Sequence, residues 1–251
     1  MCVRPLLALA AVGAWCAPML AAPARKLPEL VLWSWFVDDD LRFLNSAEIG
    51  VAYLALSLEF EGTQVISDPR TQPVRISRDT WQMAVVRCNY GPSARPQFTE
   101  AQRRAAARMI AELATITQAP AVQIDFDAPP AAYGFYRQLL SDVRTRLGPN
   151  VFLSMTALVN WCQSSTSWLA GVPVDEVVPM AFYMGQAASS IITMLHNGGS
   201  FVFPACRQSI GVELAAGATV RPRKNQRTYV FVGSQKWSPG LVRAARNLVT
   251  P

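Results

Sequence analysis

Histidine and lysine are scarce in this sequence. Its 251 residues include one histidine, His196, and only three of its 23 basic residues are lysines. A hydrolase relay or a histidine metal site needs a second component, and none is evident beside this lone histidine. No phosphate-binding loop or dinucleotide glycine pattern is present either. We therefore expect neither a metal nor a cofactor.

Charged residues are also few, at 16% of the chain, whereas 51% of its residues are hydrophobic. This composition argues against disorder and supplies ample material for a core. The formal net charge of +6 is spread along the sequence apart from a basic cluster at residues 221–227. No aromatic residue interrupts that cluster and no nucleic-acid motif accompanies it, so we interpret it as a solvated loop. No nucleic-acid partner is expected.

Long apolar runs are missing, except near the start. Residues 1–24 combine a basic beginning, an apolar stretch over residues 6–17 and small residues up to Ala24, which is the layout of a cleaved signal peptide. The stretch is shorter than the roughly 20 residues that a spanning helix needs. Trp15 is too bulky to precede a lipid-modified Cys16, so lipoprotein anchoring is not expected. We predict a periplasmic or secreted protein, residues 25–251, with no stable membrane span after cleavage.

Five cysteines become three after that cleavage. A compartment that permits disulfides then favours one bridge and one free thiol. We favour Cys162 with Cys206, because both follow predicted strands at the same end of the domain. Cys88 lies inside a strand-like run and is left over.

Short β-branched and aromatic runs alternate with segments of helical period, which favours βα units and a parallel sheet. Eight strands are predicted, at residues 30–35, 51–58, 83–89, 122–127, 151–156, 177–183, 201–203 or 209–212, and 229–233. The two clearest helices span residues 99–118 and 131–147, and a third begins near Ser238.

The fold class is thus α/β, a single small (β/α)8 TIM-like barrel. Residues 59–81 show no helical period, so the second crossover is expected to be irregular. A doubly wound open sheet is the alternative fold.

The strand at residues 122–127 alternates apolar Val122, Ile124 and Phe126 with polar Gln123, Asp125 and Asp127. In a barrel, the apolar set faces the helices and the polar set faces the interior, with Asp127 nearest the C-terminal mouth. Two carboxylates this close raise the pKa of one of them, which suits acid–base chemistry. The alternative is a structural ion pair between Asp125 and Arg87.

Aromatic and polar residues recur at the ends of the predicted strands. Aromatic faces stack on sugar rings, so aromatics around carboxylates are typical of a saccharide site, although ordinary core packing is the alternative for each. The candidate substrate-binding residues are Trp33, Trp35, Glu59, Arg87, Thr156, Trp161, Met180, Tyr183 and Trp237.

Residues 122–127, 153–158 with Trp161-Cys162, and 174–180 through Met184-Gly185 resemble a known bacterial family. That family is domain of unknown function 3142, exported proteins that look like TIM barrels, and the likeness runs from about Leu32 to Trp237. The resemblance implies the fold and export but no activity.

A more distant likeness is to family-18 chitinase-type glycoside hydrolases. Asp125 and Asp127 match that family's strand-four aspartates, and Met180 with Tyr183 loosely matches its strand-six segment. The family's proton-donating glutamate has no counterpart, because Pro129 occupies that position. Another acid, such as Asp127 itself or Glu59, has to substitute if the chemistry is kept.

Two hypotheses follow from these residues. The first is a glycoside-hydrolase-like barrel in which Asp127 is the general acid or base and Asp125 tunes it. The second is a non-catalytic envelope protein that binds a glycan or a partner protein. The sequence names neither the sugar nor the oligomeric state.

Overall fold

The computed structural model describes residues 27–35, 37–44, 48–91, 95–214 and 220–249. These residues form eleven strands: β1 (Leu30–Ser34), β2 (Asp39–Asp40), β3 (Ile49–Glu61), β4 (Gln64–Pro69), β5 (Val74–Arg75), β6 (Trp81–Tyr90), β7 (Ala121–Phe126), β8 (Phe152–Leu158), β9 (Glu176–Met180), β10 (Ser209–Glu213) and β11 (Arg227–Phe231). Their α-helices are α1 (Glu100–Thr117), α2 (Tyr133–Leu147), α3 (Ala188–His196) and α4 (Pro239–Val249).

Eight of the strands close into a parallel barrel in the order β1-β3-β6-β7-β8-β9-β10-β11. Closure is direct, because β1 pairs in parallel with both β3 and β11. The predicted TIM-like barrel is confirmed and the open-sheet alternative is wrong. The ambiguous seventh strand is β10, whereas Phe201 and Phe203 are buried outside any strand in the connection before it.

The second crossover is irregular, as the missing helical period predicts. β3 is 13 residues long, turns at Gly62 and returns as the antiparallel strand β4. β3 and β6 stay paired up to Phe60 and Tyr90, beyond the level at which β7 ends opposite Cys88. The hairpin and β6 therefore raise the barrel wall on this side of the C-terminal mouth.

Helices α1 and α2 pack against each other outside the barrel, α1 over β3, β4 and β6, and α2 over β7, where the Tyr136 hydroxyl donates to the Ile124 carbonyl. Thr99 and Gln102 form the expected capping box at the start of α1, and Gly148 follows the last residue of α2. Apolar side chains of both helices, including Ile110 and Leu139, join the main buried core together with Ile124 of β7. The odd-numbered residues of β7 consequently face the other way, into the barrel.

Arginines bind backbone carbonyls in connections that have no α-helix. Two arginines of α2 bind the connection between β8 and β9. Arg137 donates to the carbonyls of Trp168 and Ala170, and Arg144 donates to the carbonyl of Pro173. Arg70 donates in the same way to Trp35 and Val37 after β1. The guanidinium group presents five donors in a fixed geometry, which suits it to this multiple bonding.

The structure joins Cys162 and Cys206 in a disulfide, with a Cα–Cα distance of 5.9 Å, as the sequence favours. It links the connection after β8 to the turn before β10. None of the helices in the described ranges has the length and apolar character that a bilayer crossing needs. The predicted signal peptide lies outside the described residues.

Cys88 is a free, buried cysteine on the outer face of β6. Burial raises the pKa of its thiol far above the usual value, which suppresses the reactive thiolate. Iodoacetamide is expected to leave Cys88 unmodified in the folded protein and to alkylate it after denaturation, as followed by peptide mass spectrometry. Rapid alkylation under native conditions would contradict the buried position.

Candidate functional site

A cavity of about 470 Å³ opens at the C-terminal mouth of the barrel. Its polar lining includes Arg87, Asp125 and Asp127, and its aromatic lining comprises Trp33, Trp35, Phe182, Tyr183 and Phe231. This is the end of the barrel at which enzymes with this fold carry their active sites.

The aspartates reach this cavity because of the alternation in β7. Val122, Ile124 and Phe126 pack in the outer core, whereas Asp125 lies opposite Arg87 of β6 on the inner face. Asp127 follows the last residue of the strand and is exposed at the mouth. The polar side chains thus face a solvent-reachable hollow.

Asp125 is the deeper carboxyl group, with 6% of its surface exposed. The Thr156 hydroxyl donates a 2.7 Å hydrogen bond to its Oδ1, and Arg87 Nε lies 4.0 Å from its Oδ2. Burial, together with the charge of Asp127, raises the pKa of Asp125 to about 6, although Thr156 and Arg87 act in the opposite direction. Asp125 therefore keeps its proton to a higher pH than a free aspartate does.

Asp127 faces the cavity directly. Protein atoms around its carboxyl group partly desolvate it and raise its pKa, and the positive charge of Arg87 partly offsets this increase. A carboxyl group that combines solvent access with a raised pKa is suited to proton transfer.

Arg87 connects the two carboxylates with an aromatic wall. Its Nε donates a 3.0 Å hydrogen bond to Asn89 Oδ1, and its guanidinium carbon lies 5.3 Å from the centroid of the Trp35 ring. A cation over an indole face is attractive and holds both groups in place. Arg87 thereby fixes one side of the cavity.

Trp33 forms the floor. Its Nε1 donates a 2.8 Å hydrogen bond to Gln123 Oε1, and Gly211 leaves the room for its ring, because a Cβ there would lie 2.7 Å from it. Below it, Glu176 accepts hydrogen bonds from Ser154, Ser209, Tyr229 and Arg227. The lower interior is filled by this polar network, and the open space lies above Trp33.

Several solved structures share this architecture. A putative chitinase A from Streptomyces coelicolor superposes with a TM-score of 0.59 at 13% identity, over 88% of this chain and 97% of that one. A GH18 chitinase from Pseudoalteromonas aurantia gives 0.54 at 12% identity, over 87% and 99%. The spore cortex-lytic enzyme SleL from Bacillus megaterium gives 0.52 at 12% identity, over 91% of this chain and 59% of that one.

The fold is that of the GH18 barrels. At such low identity the likeness establishes the fold alone. No protein-family model matches the chain, and no curated protein matches its sequence. The resemblance to domain of unknown function 3142 thus stays a prediction.

Pro129 marks a local difference in chemistry from what the chitinase resemblance implies. It directly precedes a short 3-10 turn, Pro130–Ala132, that leads into α2, and its carbonyl accepts a hydrogen bond from the Ala132 amide. The position that the chitinase resemblance assigns to a proton donor therefore holds no ionisable side chain.

The structure brings together at the cavity five of the predicted substrate-binding residues: Trp33, Trp35, Arg87, Met180 and Tyr183. Thr156 acts indirectly, through its bond to Asp125. Glu59 is half-buried on the raised wall, where its carboxylate lies against Gly91, and it is outside the cavity lining.

Trp161 and Trp237 lie elsewhere. Trp161 is 4% exposed and packs with Tyr133 and Trp168 outside the barrel. Trp237 is 5% exposed, and its Nε1 donates to the Trp33 carbonyl. Both rings belong to the buried core instead of the cavity lining.

The residues at or beside the mouth that sequence reasoning missed include Phe182, Phe231 and Glu213. Phe231 lies inside a predicted strand, residues 229–233, whose residues are all apolar or aromatic apart from Gly233, so no polarity alternation marks its inward face. Glu213 stands one residue past the predicted end of its strand, and extending the alternation from Ser209 places it on the inner face.

Proposed function

We propose that the protein is an exported glycoside-hydrolase-like barrel that binds a saccharide in the mouth cavity and cleaves it. The observation that supports this most strongly is the inward aspartate pair in an open cavity with aromatic walls. Export is supported by the signal-like residues 1–24 and by the disulfide, which suits an oxidising compartment.

The aromatic lining fits a sugar ligand. Tyr183 is 78% exposed, so its ring is available for stacking, and the stacked rings of Phe182 and Phe231 lie behind it with centroids 5.6 Å apart. Pyranose rings have apolar faces that pack on such surfaces, while their hydroxyl groups bond to carboxylates and guanidinium groups. Arg87 and Asp127 supply those polar partners beside Trp35.

In this proposal Asp127 is the general acid or base, and Asp125 tunes it. The two groups interact electrostatically, because the charge on Asp127 contributes to the raised pKa of Asp125. Asp125 is nearly buried and bonded to Thr156, so it acts through its neighbour, whereas Asp127 is within reach of a ligand.

Substrates are suggested by the proteins of similar fold. Two of these are chitinases and one is a spore cortex-lytic enzyme. Amino-sugar polysaccharides, such as chitin or cell-wall glycan, are therefore the first candidates, and exopolysaccharides follow.

A second candidate function is saccharide binding without turnover. Pro129 supports it, because the position of the expected proton donor holds no ionisable side chain. The contact between Arg87 and Asp125 supports it as well, since ion pairs also stabilise non-catalytic sites.

The test is to incubate purified protein with chitin oligosaccharides, peptidoglycan and exopolysaccharides, and to measure both binding and release of reducing ends. Product release by the wild-type protein supports the hydrolase. Binding with no product release on any of these polymers would reject the hydrolase and leave the binding protein. Neither binding nor release would reject both.

A further inference from the structure

Glu213 ends β10 on the inner face of the barrel. Ser209 on the same strand bonds to the interior residue Glu176, and Gly211 abuts the ring of Trp33, so the odd-numbered residues of β10 point inward. Glu213 continues that series at the C-terminal end, at the level of the mouth. Ile210 and Val212, by contrast, lie in the outer core.

Two cavity-lining residues flank this carboxylate. The Tyr183 hydroxyl donates a 3.2 Å hydrogen bond to Glu213 Oε1, and the same oxygen lies 3.6 Å from where a Cβ on Gly233 would stand. Tyr183 and Gly233 both line the cavity, and Glu213 itself is half-buried. The negative charge of Glu213 also raises the pKa of the Tyr183 phenol.

Tyr183 holds this position with an unusual backbone. Its φ is +50°, in the left-handed region that residues other than glycine seldom occupy. Such conformations concentrate at functional sites, where the surrounding structure maintains them. The bond between the Tyr183 hydroxyl and Glu213 is one contact that favours this placement.

Glu213 and Asp127 stand on different walls of the mouth. Three strand-to-strand steps of the eight in the barrel separate β7 from β10, so the two strand ends lie nearly across from each other. Glycoside hydrolases generally place two carboxyl groups on either side of the scissile bond. Asp127 lines the cavity directly, and Glu213 adjoins it through its contacts with Tyr183 and Gly233.

We propose that Glu213 is the second catalytic carboxylate, the general base that faces Asp127 across the bound sugar. This inference depends on the proposed hydrolase function. Asp127 takes the part of the proton donor that is missing at Pro129, and Glu213 adds the second carboxylate of the pair. Asp127 gives its proton to the glycosidic oxygen, and the bonding pair of the breaking C–O bond goes to that oxygen. Glu213 takes a proton from the water whose oxygen bonds to the anomeric carbon.

The net reaction consumes one water, and exchange with solvent returns the proton from Glu213 to Asp127. The raised pKa of Asp127 fits the role of acid, because that carboxyl retains its proton at a higher pH than a free aspartate does. The Tyr183 hydroxyl orients the Glu213 carboxylate and is a positioning group.

The experiment compares Glu213→Gln and Asp127→Asn on a polysaccharide that the wild-type protein cleaves. Glu213→Gln is expected to lower kcat by about 10²–10⁴-fold with little change in KM. It should also change the pH profile of kcat/KM, while Asp127→Asn removes the alkaline limb of that profile. Tyr183→Phe, which keeps the ring, should lose activity only several-fold.

Glu112→Gln is the matched control, because Glu112 is an exposed helical residue paired with Arg108 and remote from the mouth. Glu213→Ala with added formate should regain part of the lost turnover, which a purely structural role would not produce. Full activity and an unchanged pH profile in Glu213→Gln, with Asp127→Asn inactive, would overturn the inference and leave the hydrolase standing. No turnover by the wild-type protein would overturn both.

Discussion

Replacing Asp127 by asparagine is expected to reduce turnover of a responsive polysaccharide by about 10²–10⁴-fold, the usual contribution of a general acid or base. Asparagine has nearly the same shape but carries no transferable proton, so binding should persist while kcat collapses. Asp127 lies in the cavity with a raised pKa, and its side chain has the access that this role needs.

Steady-state kinetics with a binding assay on the same variant separate the two effects. Asp79→Asn is the matched control, since Asp79 is an exposed aspartate in the turn before β6, at the other end of the barrel. Hydrolysis by Asp127→Asn at the wild-type rate would remove Asp127 from the mechanism. Equal losses of turnover in Asp127→Asn and Asp79→Asn would indicate a general effect of replacing aspartate by asparagine.

Replacing Asp125 by asparagine is expected to stabilise the fold at neutral pH by about 2–3 kcal/mol. Asp125 has a pKa of about 6 in the folded protein, against 3.8 for an unperturbed aspartate. Each pKa unit corresponds to about 1.36 kcal/mol. The Asp125 side chain is nearly buried, so solvent screens little of this energy. An amide avoids the cost of a buried charge and still accepts the Thr156 bond.

The raised pKa of Asp125 also sets the direction in which the stability of the fold changes with pH. Between pH 3.8 and about 6 the folded state binds more protons at Asp125 than the unfolded state does, so this group makes stability fall as the pH rises. Urea unfolding of wild-type and Asp125→Asn proteins from pH 4 to 7.5 should show their free energies of unfolding diverging across that window. The assigned pKa shift would be refuted if Asp125→Asn were less stable than the wild-type protein at pH 7 and its free energy of unfolding changed with pH in the same way.

Much of the barrel follows from local patterns. The capping box at Thr99 and the apolar periodicity of α1 are local features, and short β-branched runs locate the strands. The inward placement of Asp125 follows from alternation alone, because a single strand between two different environments has to divide its side chains by polarity. The irregular crossover is visible as a lack of helical period.

The composition of the site depends on contacts that a sequence does not reveal. Trp161 and Tyr183 both follow strands, yet one turns into the core and the other into the cavity, since loop direction depends on tertiary packing. Strand alternation places Glu213 on the inner face, but its contact with Tyr183, 30 residues away in the sequence, is visible only in the structure. Pro129 indicates that an acid is missing, but not where another is placed.

The most direct test of the central claim is a crystal structure of the Asp127→Asn protein soaked with an oligosaccharide of the polymer that the wild-type protein binds. We predict a sugar in the mouth cavity, stacked on Tyr183 or Trp35, with a glycosidic oxygen within hydrogen-bonding distance of residue 127. A saccharide bound elsewhere on the barrel, with the mouth cavity empty, would contradict the assignment.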